Sequence, residues 1–397
     1  MALINEKMQY LGNVRSAIRD LYEYGLRRAK EVGRENVYDF SLGNPSVPAP
    51  DSVEEAIEAL VHHADPVLLH GYTSASGALD VREAIASDIQ KRFKSPVTAD
   101  DLYVTCGAAA SLCVALNALH TPGDEAVAIA PFFPEYRVFS ESAGMKFKVV
   151  DPDLRGFQVN FDALREAVTF DTKAVIVNSP NNPTGVVLTR QTLVTVADIL
   201  REKEQQYGHP VFLIADEPYR ELVYDDIEVP YIPNLYDDTI VCYSYSKSLS
   251  IPGERIGYVA VPKNCSYHDA IVQAVAGAGR ALGYVCAPSL MQRVVSLNLG
   301  RTADLSVYKT NRDLLYRELT EMGYEAVYPD GAFYLFVKSP DPDAKAFSER
   351  AKRRDLLIVP SDSFGCPGYL RIAYCVPTDT VRRALPVFQS LITNKGV

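Results

Sequence analysis

Short runs of apolar, largely β-branched residues recur along the middle of the chain and alternate with stretches of helical pattern. These runs lie at 125 to 130, 172 to 177, 211 to 215 and 239 to 243. Runs that are apolar throughout indicate strands buried on both faces, because a strand with one solvated face shows alternating polar residues. The pattern predicts an α/β fold whose large domain has a mostly parallel sheet between layers of helices.

Helical spacing of apolar residues is clearest at 189 to 207. Beyond Pro288 the pattern changes, and we expect one long mixed helix that runs to about Met322. The later elements are strands around 331 to 340 and 369 to 375, then a terminal helix from Thr378. This part of the chain is expected to form a smaller α/β domain.

The chain has 397 residues, a length at which one hydrophobic core usually divides into two. The Pro-rich segment at 44 to 52 is the expected crossing point. We therefore predict that residues 1–46 contribute to the small domain, 47–288 form the large domain, and 289–397 complete the small domain.

Charge and composition exclude several classes of protein. The formal net charge is -10 and no cluster of basic residues is present, which argues against a nucleic-acid partner. The seven cysteines form no CxxC pair and are typical of reduced thiols. The first twenty residues do not resemble a signal peptide, and no apolar run is long enough to span a membrane. We expect a cytoplasmic protein without a metal site.

Three of the predicted strands end in polar clusters, which should meet at one edge of the sheet. The clusters are NSPNNPTG at 178 to 185, ADEPY at 215 to 219 and SYSKSLSIPGERIGY at 244 to 258. Taken singly, each fits an ordinary turn or exposed loop.

Together these clusters resemble the class I/II aminotransferases, the fold type I enzymes of the aspartate aminotransferase superfamily that use pyridoxal 5'-phosphate (PLP). Further matches are LGNP at 42 to 45, GYTSASGALDVREAIA at 71 to 86, PFFPEY at 131 to 136 and YLRIAY at 369 to 374. The resemblance runs over nearly the whole chain. It implies that the large domain binds PLP, and that a homodimer moves an amino group between an L-amino acid and a 2-oxo acid in a ping-pong cycle.

The resemblance assigns the reacting groups. Lys247 forms the Schiff base of the resting enzyme, the internal aldimine, and then acts as the base at the substrate Cα. A carbonyl cofactor needs such a lysine, and its ring accepts electrons only while its nitrogen stays protonated. Asp216 is matched to that nitrogen, since a carboxylate beside so much apolar surface needs a cation. Tyr219 and Asn182 are matched to the phenolic oxygen.

The cofactor phosphate needs several donors. The segment LYVTCGAAASLCVALNAL at 102 to 119 predicts a strand, then Gly107 and a helix that begins near Ala108. A helix N-terminus favours anions. The resemblance places the phosphate on the amides of Ala108 and Ala109. Further donors are Ser244, Ser246 and Arg255, and Tyr72 from the partner subunit. Phe133 is matched to the ring that stacks on the cofactor, whereas Phe132 is expected in the core.

Substrate recognition depends on two arginines. Arg371 is a lone arginine among apolar strand residues, so it should be paired; the alternatives are a structural ion pair or, by resemblance, the clamp for the substrate α-carboxylate. Gly43 and Asn182 would line the same pocket. Arg280 lies where some relatives bind a distal carboxylate, but it equally fits a solvated helix end.

Two other functions keep many of the same residues. A PLP-dependent carbon–sulfur β-lyase would use the same Lys247, Asp216 and Arg371 and differ in the group that leaves. A PLP-binding regulator without catalysis would carry a DNA-binding module before LGNP, and about forty residues are too few for one.

Overall fold

The structure is a computed structural model, and it describes residues 4–13 and 16–393. Within these residues the α-helices are α1 (Glu6–Asn13), α2 (Ala17–Val32), α3 (Asp51–His63), α4 (Pro66–His70), α5 (Leu79–Phe93), α6 (Ala108–Leu119), α7 (Glu135–Ala143), α8 (Phe161–Ala167), α9 (Arg190–Tyr207), α10 (Tyr245–Ser248), α11 (His268–Ala281), α12 (Ser289–Ser296), α13 (Ser306–Glu321), α14 (Ala344–Lys352) and α15 (Thr378–Thr393).

The strands of the same residues are β1 (Tyr38–Asp39), β2 (Leu102–Thr105), β3 (Glu125–Ile129), β4 (Lys146–Val150), β5 (Thr172–Asn178), β6 (Phe212–Asp216), β7 (Thr239–Ser244), β8 (Gly257–Ala260), β9 (Ala326–Val327), β10 (Tyr334–Lys338), β11 (Leu356–Leu357), β12 (Val359–Pro360) and β13 (Tyr369–Ala373).

Seven strands form the sheet of the larger unit in the order β2-β8-β7-β6-β5-β3-β4. Strands β4, β3, β5, β6 and β7 pair in parallel, and β8 runs antiparallel to both of its neighbours. Alternate residues of the central strands enter two separate apolar clusters, as Leu213 and Ile214 of β6 do. Both faces are therefore buried, and the predicted α/β class with a mostly parallel sheet is confirmed.

The chain divides into two compact units. The larger unit comprises Val47–Leu305 and Asp330–Ala332, and the smaller one the described residues up to Ser46, Ser306–Pro329 and those from Phe333 on. The predicted boundary at 288/289 differs from this division, because residues 289–305 belong to the larger unit. The reason is helix α12, whose apolar face packs into that unit's core.

The expectation of one long helix between Pro288 and about Met322 is wrong. The structure has two helices, α12 and α13, and Gly300 lies between them with φ 73°. The Asn298 side chain donates to the carbonyl of Val294 at 2.9 Å, at the end of α12. A pattern of mixed polarity did not reveal this interruption. The four strands predicted between 125 and 243 and the helix predicted at 189 to 207 are confirmed within one residue.

The smaller unit has two sheets of its own. Strands β12-β13-β10-β9 form an antiparallel sheet, and β1 pairs with β11 in parallel. Arg371 lies in β13, opposite Phe336 of β10 and Val359 of β12. No helix among residues 4–13 and 16–393 is both long enough and apolar enough to cross a membrane.

Candidate active site

The carboxyl ends of β5, β6 and β7 lie side by side, because Asn178, Asp216 and Cys242 are aligned in the register of the parallel strands. The Asn178 side chain donates to the main-chain carbonyl of Asp216 at 2.9 Å. Its own oxygen accepts from the backbone N–H of Asn182 at 2.7 Å. One strand-end asparagine therefore joins β6 to the loop that carries Asn182, and both Asn182 and Tyr219 are buried at this edge.

Asp216 is the most unusual group at this edge. Its side chain is 4% exposed, and Oδ2 accepts a hydrogen bond from the hydroxyl of Tyr136 at 2.5 Å. The other oxygen, Oδ1, is buried without a hydrogen-bond partner in the structure. Burial raises the pKa of Asp216 to about 7; the Tyr136 hydrogen bond opposes this shift and the neighbouring Glu217 adds to it. A buried carboxylate with one unpaired oxygen is a site for a cationic N–H group.

Lys247 lies in the short helix α10, which follows β7 directly. Ser244 caps this helix by accepting from the N–H of Ser246 at 3.2 Å. Tyr243 donates to the carboxylate of Glu221 at 2.8 Å, and its hydroxyl oxygen lies 3.1 Å from that of Ser248. These contacts fix the backbone on both sides of Lys247, whose side chain is half-buried while its neighbours are buried.

A group of small residues and donors lies at the start of α6. Gly107 caps the helix with φ 89°, and a Cβ atom there would lie 3.0 Å from Nη2 of Arg255. Arg255 also donates to the hydroxyl of Ser246 at 3.4 Å, and Ser244 donates to the same hydroxyl at 2.7 Å. The first turn of a helix has N–H groups without helical partners, so this cradle suits a phosphate. Ala108 and Ala109 supply that first turn.

The two phenylalanines of PFFPEY have different surroundings. Phe132 is buried in the core and packs edge-on against Phe147, with ring centroids 5.3 Å apart. Phe133 is partly exposed and packs edge-on against Tyr136 at 5.8 Å. Phe133 thus has ring surface available for stacking.

Arg371 belongs to the smaller unit and is 2% exposed. Its Nη2 donates to the carbonyl of Ser41 at 2.5 Å. The guanidinium carbon lies 4.7 Å from the ring centre of Tyr334 and 5.2 Å from that of Phe364. A Cβ atom at Gly43 would overlap the hydroxyl of Tyr334. Two aromatic faces and a backbone carbonyl therefore orient the guanidinium plane.

The chain is similar to known proteins over nearly its whole length. Residues 35–388 match the family model described as aminotransferase class I and II. The chain is 29% identical to the probable N-acetyl-LL-diaminopimelate aminotransferase of Bacillus subtilis, covering 98% of this chain and 97% of that protein. A crystal structure of an amino transferase from Eubacterium rectale is 52% identical, with a TM-score of 0.98 and full coverage of both chains. The aspartate aminotransferase from Thermus thermophilus with maleate is 26% identical, with a TM-score of 0.86 and coverage of 98% and 100%.

The chain belongs to the class I and II aminotransferases. Its reaction is the transfer of an amino group, and the relatives support this activity rather than the carbon–sulfur lyase reaction that the sequence left open.

Two of the residues predicted from the aminotransferase resemblance are exposed. Tyr72 is 99% exposed between α4 and α5, and Arg280 is exposed in the last turn of α11. Neither position by itself assigns a role.

Sequence reasoning missed Asn178 and Tyr136. Both lie in motifs that were recognised, NSPNNPTG and PFFPEY, but only Asn182 and Phe133 were given roles there. Asn178 had a usable signal, since it is a polar residue at the end of a buried strand, as Asp216 is. Tyr136 had none, because its contact with Asp216 joins residues 80 positions apart.

Proposed function

We propose that this aminotransferase binds PLP at the carboxyl edge of the seven-stranded sheet and uses it to exchange amino groups between an L-amino acid and a 2-oxo acid. The observation that carries the proposal is the unpaired, buried Oδ1 of Asp216. A protonated pyridine nitrogen supplies the N–H donor and positive charge that this oxygen lacks.

The other residues at this edge fit the remaining parts of the cofactor. Gly107 leaves room where a side chain would press on Arg255, so the start of α6 fits a phosphate monoester. Ala108, Ala109, Ser246 and Arg255 would hold that phosphate. Ser244 would act through Ser246, to which its hydroxyl donates at 2.7 Å.

When bound, PLP supplies an aldehyde that links to amines and a ring that accepts electrons from the substrate Cα. Lys247 would hold the aldehyde in the resting enzyme, and its Nζ would be the base that takes and returns the proton of the substrate Cα. Asp216 would keep the ring nitrogen protonated. Tyr219 and Asn182 would donate to the phenolic oxygen, and Phe133 would stack on the ring.

For the substrate, we propose that Arg371 binds the α-carboxylate and that the Gly43 backbone lines the same pocket. Asn182 is a further candidate for substrate binding. Its guanidinium plane is oriented by Tyr334 and Phe364, which suits a planar anion. Arg280 remains a candidate for a distal carboxylate. The Thermus relative was crystallised with maleate, a dicarboxylate, so acidic substrates are the first to test.

The proposed assembly is a homodimer in which Tyr72 reaches the phosphate of the partner's site. Its almost complete exposure is consistent with such a role. We also propose a cytoplasmic location, since none of the seven cysteines is in a disulfide.

The test is chemical trapping of the lysine. The full-length protein loaded with PLP is reduced with borohydride, digested, and analysed by mass spectrometry. We expect a pyridoxyl label on the peptide that contains Lys247, and neither label nor transaminase activity in Lys247→Ala. The control is Lys263→Ala, which removes a partly exposed lysine paired with Asp101 at 2.9 Å. A label on another lysine, or full activity of Lys247→Ala, would contradict the proposal.

A further inference from the structure

The hydrogen bond between Tyr136 and Asp216 gives the two oxygens of the carboxylate different surroundings. Tyr136 lies at the start of α7 and is 1% exposed. Its hydroxyl donates to Oδ2 at 2.5 Å, while Oδ1 has no hydrogen-bond partner among the residues that the structure describes. Asn178 fixes the backbone of Asp216 through the carbonyl. These two hydrogen bonds therefore fix the orientation of the carboxylate group. Only Oδ1 is left to bind a ligand.

A donated hydrogen bond also changes how strongly a carboxylate holds a proton. It stabilises the anion and so lowers the proton affinity of the group. In the pair formed by Asp216 and a ring nitrogen, the proton resides on whichever atom binds it more strongly. A carboxylate weakened as a base by Tyr136 leaves that proton on nitrogen.

Resting on the proposed function, we infer that Tyr136 is a positioning residue that keeps the shared proton on the ring nitrogen of the bound cofactor. It does so through Asp216 and does not itself touch the reacting atoms. The residue thereby determines how well the ring accepts electrons, a property that the sequence motif did not reveal.

The other titratable and charged groups near Asp216 are engaged elsewhere or are neutral. Glu217 follows directly, but it is ion-paired with the buried Arg220, whose Nε donates to it at 2.7 Å. Cys242 is aligned with Asp216 on β7, and burial raises the pKa of its thiol well above the usual range. The pKa of Tyr136 is likewise raised by burial, so it stays a neutral donor. Tyr219 lies in the turn after β6, and Asn178 on β5 is uncharged.

The first measurement locates the proton directly. Full-length protein is loaded with PLP labelled with ¹⁵N in the ring, and the nitrogen chemical shift is recorded between pH 6 and 9. We expect the parent protein to show a protonated nitrogen and Tyr136→Phe to move towards the unprotonated value. The kcat should fall while KM changes little, because groups that bind the substrate are untouched.

The second measurement does not depend on the cofactor. In the full-length chain without PLP, the Asp216 carboxyl is followed by ¹³C NMR and assigned by its loss in Asp216→Asn. Tyr136→Phe should raise its titration midpoint by about one to two pH units, as expected for one charge-assisted hydrogen bond. Fluorotyrosine at position 136, a stronger donor, should lower it. If Tyr136→Phe does not fold, the fluorotyrosine replacement still tests the inference.

The matched control is Tyr224→Phe. Tyr224 is buried in the same unit and donates at the same distance of 2.5 Å, but to the neutral carbonyl of Ala332. We expect neither NMR signal to move. If both signals were also unchanged in Tyr136→Phe, the inference would be overturned. If labelled PLP failed to bind the parent protein, the proposed function would fail, and the ¹³C titration would still decide whether Tyr136 controls the Asp216 proton.

Discussion

The burial of Asp216 predicts a pH-dependent loss of stability in the full-length chain when PLP is absent. Its pKa is about 7 in the folded protein, against a usual value of 3.8. The folded state therefore keeps a proton in this range that the unfolded state releases. A difference of about three pKa units, at 1.36 kcal/mol each, amounts to about 4 kcal/mol. The full stability is present below pH 3.8, falls as the pH rises towards 7, and is then constant.

Asp216→Asn removes this titration while keeping an acceptor for the Tyr136 hydroxyl. With PLP absent from both proteins, we compare their free energies of unfolding. We expect that of the variant to rise by about 4 kcal/mol relative to that of the parent as the pH increases from 4 to 8. Urea denaturation over this range gives the free energy of unfolding at each pH. The contributions of the other titrating groups cancel in the difference between the two proteins.

The control for this experiment is Asp100→Asn, which removes a negative charge from a side chain that is 89% exposed. Its difference from the parent should not show the change of about 4 kcal/mol that is expected for Asp216→Asn. A constant difference for Asp216→Asn would refute the reasoning, because it would mean that water or a rearranged neighbour solvates the Asp216 anion in the folded protein.

The substrate and the assembly give further predictions. Arg371→Ala should lower kcat/KM by about 100-fold for mono- and dicarboxylic substrates alike, since all lose a bidentate partner; an unchanged value would remove it from recognition. Arg280→Ala should lower kcat/KM for glutamate and 2-oxoglutarate but not for alanine. Equal small losses of kcat/KM for all three substrates would show that Arg280 has a structural role. Mixing inactive Tyr72→Ala and Lys247→Ala proteins should restore some activity, because a hybrid dimer has one intact site. No recovery despite proven subunit exchange would argue against a shared site.

Four of the parallel strands of the central sheet, and the positions of the motifs, could be predicted from the sequence alone. The runs at 172 to 177 and 211 to 215 are apolar throughout, and this property is local, so no knowledge of neighbours is needed to recognise buried strands. Parallel strands end at the same edge, so the polar residues that follow them, Asp216 and Lys247 among them, were expected together. Their chemical roles came from the resemblance to a family.

Tertiary structure decided which side chains meet. The pairing of Tyr136 with Asp216 joins residues 80 positions apart, and that of Arg371 with Ser41 joins residues 330 apart. No periodicity encodes such contacts, because they depend on how helices and strands pack after they form. The division of the chain after Leu305 has the same origin: helix α12 joins the larger unit because its apolar face packs with that unit's helices, α3 and α5 among them. Local pattern sets the elements, whereas packing between distant elements sets the environment and the proton affinity of Asp216.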